Sequence, residues 1–211
     1  VVRCKNPISV SLIASDDKSP TIDIFWSVDG FPPSDEVEKL YQAGGNTFKA
    51  KNSADVSIKS HTILKFFSKD IAGNKEDIKT IIVLIGETPF AYAEPPGGIF
   101  GSASIPLEVK IFTIPEDALI SYQVSFPDAT TSSSESCQSP CKIILEKEGK
   151  NIIVFRAYKG GLADQLRRAD FILDKTPPRV FFEPANCFSD AGPISASIRS
   201  DEEKTKIFWK I

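Results

Sequence analysis

The sequence predicts an all-β fold built as a tandem of small β-sandwiches, on three observations. The first is a strand that occurs three times: Ile24-Phe25-Trp26-Ser27-Val28, Ile120-Ser121-Tyr122-Gln123-Val124 and Ile207-Phe208-Trp209-Lys210-Ile211. In each copy an apolar residue, an aromatic and a second apolar residue alternate, which puts all three on one face because side chains switch sides at every residue of a strand. The copies start at residues 24, 120 and 207, spacings of 96 and 87 residues that match one small β-domain. The second observation is that further period-two segments flank each copy at matching places. The third is that no segment sustains a 3.6-residue period; Asp35-Glu36-Val37-Glu38-Lys39-Leu40-Tyr41 makes a turn or two of helix in a loop at most.

The elements follow in order. Before the aromatic strand, Ile8 to Leu12, Ile105 to Ile111 and Ile194 to Ile198 alternate apolar and polar residues and predict a preceding strand with one buried face. After it, Ile63-Leu64-Lys65-Phe66-Phe67-Ser68 matches Ile152-Ile153-Val154-Phe155-Arg156-Ala157, and Ile81, Val83 and Ile85 match Ala169, Phe171 and Leu173. Between these last two strands, Asp70-Ile71-Ala72-Gly73-Asn74 and Lys159-Gly160-Gly161 hold residues that tolerate positive φ, so each copy is expected to close with a hairpin. Glu87-Thr88-Pro89-Phe90 and Lys175-Thr176-Pro177-Pro178 mark the junctions, where proline stiffens the link. Some seven strands with an aromatic on the third describe an immunoglobulin-like or fibronectin-like sandwich, here without the usual disulfide between the second and sixth strands.

The expected domains are therefore residues 1–87, entered almost at the second strand so that the first is missing, residues 88–176, and residues 177–211 as the opening part of a truncated third. Half a sandwich leaves an apolar face and a strand edge uncovered. Ile194, Ala196, Ile198, Ile207, Trp209 and Ile211 are expected on that face, covered by the rest of their own domain or, through complementation, by a neighbouring chain.

A formal charge of −3, from 25 basic and 28 acidic residues scattered along 211, holds no basic block of the kind that tracks phosphates, which argues against nucleic acid as a partner. No apolar run approaches the roughly 20 residues of a membrane-crossing helix; Ile81-Ile82-Val83-Leu84-Ile85 ends at Gly86-Glu87. The absence of methionine and the start at Val1-Val2-Arg3-Cys4 carry the expectation of a longer precursor. Cys137 and Cys141 lie four apart in a Ser/Thr-rich loop and are expected to form a disulfide, which implies an oxidising setting outside the cytoplasm. A zinc site needs about four Cys/His ligands, and the one histidine, His61, is distant in sequence. For Cys4 and Cys187 two readings stay open, a partner beyond these residues or a free thiol.

Ile24-Phe25-Trp26-Ser27-Val28-Asp29-Gly30, followed by Pro32-Pro33-Ser34, Tyr41, Thr62 to Ser68 and Asp70-Ile71-Ala72-Gly73-Asn74, resembles the domain found at the C-terminus of chitobiases and related hexosaminidases, a module that also recurs in tandem in bacterial surface proteins. The resemblance covers residues 21–83 and implies a non-catalytic accessory or architectural domain, secreted or surface-exposed, without the glycosidase activity of its namesakes. In the second copy Ser125-Phe126-Pro127-Asp128 and Lys159-Gly160-Gly161 replace the two motifs, and only the fold carries over.

Candidate chemistry is sparse. Asp29, Asp35 and Glu36 are carboxylates of the type that holds calcium, but without an Asp-x-Asp ladder the expected role of Asp29-Gly30 is a turn with Gly30 at positive φ. Trp26, Tyr122 and Trp209 are expected as core aromatics, because their apolar triplets outweigh a sugar-stacking platform. His61, with no nucleophile motif and no second histidine, is expected at the surface. The Ala129 to Ser136 stretch reads as a solvated insertion and the best candidate for a recognition loop. No catalytic, cofactor or metal residue is assigned. The expected function is that of a structural spacer or protein-binding segment of a bacterial extracytoplasmic multidomain protein, in a surface, adhesion or filament assembly, at the cell surface, outside the cell or in the periplasm. Its expected partners are proteins or further copies of itself. The alternative is an accessory glycan-binding region of a secreted glycosidase, which a glycan array separates.

Overall fold

The computed structural model describes residues 1–35, 45–183, 197–201 and 207. Among them the regular structure is strand throughout, apart from one 3-10 turn at Ser102–Ser104. The fold class is all-β. The chain divides into two compact units, Val1–Asp174 and Lys175–Ile211.

The first seven strands are β1 (Val2–Cys4), β2 (Ile8–Ile13), β3 (Ile22–Ser27), β4 (Phe48–Lys51), β5 (Ser53–Ile58), β6 (Thr62–Asp70) and β7 (Lys79–Ile85). One sheet runs β1-β7-β6-β3-β4, and β2 pairs with β5 to make a second. Leu12, Val56 and Ile58 from the small sheet and Ile24, Leu64 and Val83 from the large one form a single buried cluster, so the two sheets face each other across it. A short strand precedes the expected ones: β1 lies parallel to β7, with Val2 opposite Val83 and Cys4 opposite Ile85. Three residues at a sheet edge are too few to leave a period-two signature.

The next nine strands are β8 (Phe90–Glu94), β9 (Gly98–Gly101), β10 (Leu107–Ile114), β11 (Leu119–Ser125), β12 (Glu135–Gln138), β13 (Cys141–Leu145), β14 (Gly149–Lys159), β15 (Leu162–Ala163) and β16 (Arg167–Asp174). Here β13-β10-β8 faces β12-β11-β14-β16-β9, with β15 paired to β14 at a hairpin tip. The shared core includes Val109, Ile111 and Leu145 from one sheet and Ile120, Ile153 and Phe171 from the other. The expected hairpins form: β6 pairs antiparallel with β7, and β14 with β16. Gly73 stands at φ +92°, and Gly160 and Gly161 at +57° and +81°, in the bends between them. This strand order, two sheets around one core, is the immunoglobulin-like β-sandwich.

The Ser/Thr-rich stretch Ala129 to Ser136 is exposed apart from the half-buried Ser132, as a solvated insertion is, and local hydrogen bonds order it. Ser132 exchanges hydrogen bonds with Val124, and Asp128 accepts from Thr130 and from Lys147 at 2.7 Å. The Lys147 ammonium and the Thr130 donors hold Asp128 down at about 2. β12 ends this stretch and β13 starts in the opposite sheet; Cys137 and Cys141 are joined by a disulfide where the chain changes sheets.

In the second unit, β17 (Val180–Glu183) pairs antiparallel with β18 (Ser197–Ser200), placing Phe182 opposite Ile198. Of the residues expected on one face of the third copy, Ile194, Ala196, Trp209 and Ile211 lie outside the described residues, Ile198 is in β18, and Ile207 is described outside any strand. The helical turn suggested for residues 35–41 likewise lies outside them from residue 36 on.

Candidate functional site

A buried polar cluster surrounds the passage from β7 to β8. His61 ends the turn after β5 and is 8% exposed, contrary to its expected place at the surface. Isolated in sequence it carries no apolar pattern, so only the tertiary fold shows that the β7–β8 connection closes over it. The Ile85 amide donates to Nδ1 at 2.9 Å, and Nε2 lies 2.7 Å from the Thr88 hydroxyl. Because Nδ1 faces an N–H donor it must be the acceptor, which leaves the proton on Nε2 and the ring neutral. Burial pushes the His61 pKa below its usual value of 6.5, opposed by the nearby Asp164 carboxylate and reinforced by Arg167 and Arg3.

The other side of the passage is built from β8 and the turn before β16. The Phe90 ring meets His61 edge-on at 5.5 Å and lies under the Arg167 guanidinium at 4.3 Å. Asp164 is 5% exposed; it takes two bonds from Arg167, at 2.7 and 3.2 Å, and one from the Ala91 amide at 2.9 Å. Every charge here is paired, and the carboxylate serves as a backbone acceptor for β8. The adjoining cleft, floored by Phe90, Tyr92 and His61, holds about 120 Å³. Ligand pockets for small organic molecules begin near 300 Å³, and this cleft is smaller.

The remaining candidates are placed as follows. Trp26 is half-buried against the first core and stacks on Phe48 at 5.7 Å. Tyr122 is half-buried against the second core; its hydroxyl donates to Glu135 at 2.6 Å, and burial first, then that carboxylate, push its pKa up to about 12. Trp209 lies outside the described residues. Gly30 has φ +86°, and Asp29 accepts from the Phe31 and Asn46 amides, which is turn chemistry. Asp35 receives Lys69 at 2.8 Å and Lys75 at 3.0 Å; the bond from Lys69 does most to hold its carboxyl well below the usual range. Glu36 is not described. Among the described residues no three His, Cys, Asp or Glu side chains cluster as metal ligands do, and no helix is long and apolar enough to cross a membrane.

One feature of β3 escaped the period-two reading. Phe25, on the face opposite Trp26, is 6% exposed and stacks on Phe67 at 4.9 Å, with Lys75 over the Phe67 ring and Lys49 over Phe25. The signal was present in the unbroken apolar-aromatic run Ile24-Phe25-Trp26, which fits a strand buried on both faces.

No protein-family model matches the chain, and no curated protein does. Among solved structures it is similar to the fibronectin(III)-like modules of Clostridium thermocellum CbhA, at 12% identity over 82% of this chain and 88% of that one, with a TM-score of 0.32. It is also similar to an amphioxus IgVJ-C2 molecule, at 12% identity over 81% and 99% of the two chains and a TM-score of 0.25.

Proposed function

We propose that residues 1–87 and 88–176 are successive immunoglobulin-like domains held as one stiff body, and that the chain is a non-catalytic spacer or protein-binding segment of an extracytoplasmic multidomain protein. The observation that carries this reading is the latch: His61 from one sandwich bonds Thr88 and meets Phe90 at the entry of the other, where Asp164 and Arg167 hold Ala91 and Phe90 of β8 in place. A buried, fully paired junction removes the bending freedom that a Pro-containing linker alone would leave. The Cys137–Cys141 disulfide supports an oxidising compartment, and the resemblance of residues 21–83 to chitobiase C-terminal domains supports an accessory role. Amide relaxation of the 211-residue chain tests the stiffness directly. Residues 1–87 and 88–174 are expected to tumble with one correlation time and to acquire two in Asp164→Ala; two in the unaltered chain would overturn the reading.

A further inference from the structure

His61 is set so that it holds its place only while neutral. Nδ1 accepts from the Ile85 amide at 2.9 Å and Nε2 donates to the Thr88 hydroxyl at 2.7 Å, so one ring closes the turn after β5 onto the β7–β8 connection. A proton added at Nδ1 turns that acceptor into a second donor and brings two N–H groups face to face. The Ile85 amide then loses its acceptor beside a ring that is 8% exposed, and a buried amide without a partner is costly. Nε2 gains nothing in exchange, because it already carries its proton.

The charged side chains around the ring, among the described residues, do not compensate. From β1, Arg3 reaches the Gly86 carbonyl at 2.6 Å, and Arg167 and Arg168 line the adjoining cleft, Arg168 paired with Asp170. Both carboxylates nearby are committed: Asp164 to Arg167 and the Ala91 amide, Asp29 to the Phe31 and Asn46 amides. Glu87 in the connection is exposed, and Tyr92 on the cleft floor is kept neutral by burial. From β8 comes the Phe90 ring, which already lies under Arg167. Burial, Arg167 and Arg3 therefore oppose a charged His61, and Asp164 favours it.

A second contact between strands β1–β7 and strands β8–β16 is neutral. The Phe31 ring, from the turn after β3, lies over Gly97 just before β9; a Cβ on Gly97 would stand 3.2 Å from Phe31 Cζ and 2.7 Å from the Asp170 carbonyl. Gly97 has φ +140°, so both its backbone and this close approach exclude a side chain. Phenylalanine and glycine side chains do not titrate, and this contact survives acid.

We propose that His61 is an acid-operated catch: on taking a proton from solvent at Nδ1 the ring leaves Ile85 and Thr88, and strands β8–β16 swing against strands β1–β7 about the Phe31–Gly97 contact with both buried clusters intact. Acid thus turns one stiff body into two jointed ones. This rests on the stiff-body reading given above, and the two fail differently.

The test is an NMR titration of the 211-residue chain, whose single histidine makes the ring signals unambiguous. Near neutral pH the ring is expected protonated at Nε2 alone, with NOEs to Thr88 and Phe90, and residual dipolar couplings of residues 2–85 and 90–174 should fit one alignment tensor. Below the midpoint of the ring's own titration, expected under 6.5, the NOEs should be lost and two tensors required, while the amides of Leu64 and Phe171 stay protected from exchange. In His61→Gln one tensor should suffice throughout. Two tensors already at neutral pH would sink the stiff-body reading itself. One tensor on both sides of the His61 midpoint, a change with a different midpoint, or loss of Leu64 or Phe171 protection in step with it overturns the catch alone, and these outcomes are read in the unaltered chain even if His61→Gln disturbs the fold.

Discussion

Strands β1–β7 and strands β8–β16 pair in corresponding ways around their two buried clusters and differ in how those clusters close. In the second, β8 lies over the edge of β10, Cys137–Cys141 clamps the change of sheet, and a continuous buried cluster runs from Ala91 to Leu173. In the first, among the described residues, β2 pairs with β5 alone, Ile8 and Val10 are only half-buried where Leu107 and Val109 are 8% and 0% exposed, and the buried cluster is smaller. The first sandwich instead buries part of its outer face, through Phe25 and Phe67 under Lys49 and Lys75. The corresponding strands pair alike, and β8 with its buried Ala91 and Ala93 seals the second core. Burial of apolar area scales stability, so the second sandwich should be the sturdier partner and the latch the route by which it supports the first.

The largest expected effect is in the sealed core. Phe171→Ala should cost about 3–5 kcal/mol, since the ring is fully buried and its removal leaves a cavity. Chemical denaturation followed at Tyr122 should register it. A loss as small as that of a surface substitution would mean that the second core is not the stronger of the two.

Next comes the latch. Asp164→Ala leaves the Arg167 guanidinium and the Ala91 amide without their acceptor, and for a pair whose cation is 18% exposed a loss of about 3 kcal/mol is expected. The signature is a single unfolding transition splitting in two in calorimetry, with residues 1–85 melting first. Trp26→Ala should cost about 2–3 kcal/mol, below a fully buried ring, because Trp26 is half-buried and stacked on Phe48. The comparison sharpens if Phe171→Ala exceeds it in the same assay.

Replacing both Cys137 and Cys141 by serine should destabilise the second sandwich by about 2 kcal/mol, because a disulfide between residues four apart closes only a short loop. Thermal melts with and without reductant should agree with the variant. The last prediction concerns acid. His61 has a folded pKa below 6.5, so the folded state binds its proton more weakly than the unfolded chain. The stability this histidine contributes is therefore fully present above about pH 6.5 and is lost as pH falls through the lowered folded value. Melting of residues 1–85 should move downward over that window, and His61→Gln, which keeps an acceptor and a donor but does not titrate, should flatten the dependence.

Much of this architecture was legible because a strand buried on one face writes its period into the sequence. The segments Ile8 to Leu12, Ile63 to Ser68 and Ile152 to Ala157 fall within β2, β6 and β14, and Gly73 and Gly160 sit where hairpins need positive φ. β1, β8 and β9 were missed: β1 and β9 are short strands at sheet edges, and the Phe90-Ala91-Tyr92-Ala93 run begins at a proline that reads as a linker. The latch was illegible for a different reason. His61, Asp164 and Arg167 are far apart in sequence and share no motif; their partners are backbone amides and a ring face, which any residue or any phenylalanine offers.

By itself the sequence determined the all-β class, the repeated central strands, their hairpins and the Cys137–Cys141 pair, because alternation, turn residues and a four-residue spacing are local properties of the chain. Only the tertiary structure decided that His61 is buried and neutral, that Asp164 anchors β8, and that β8 covers the edge of β10. Those outcomes depend on which distant segments meet, and burial of a polar group or exposure of a strand edge exists only once they have met.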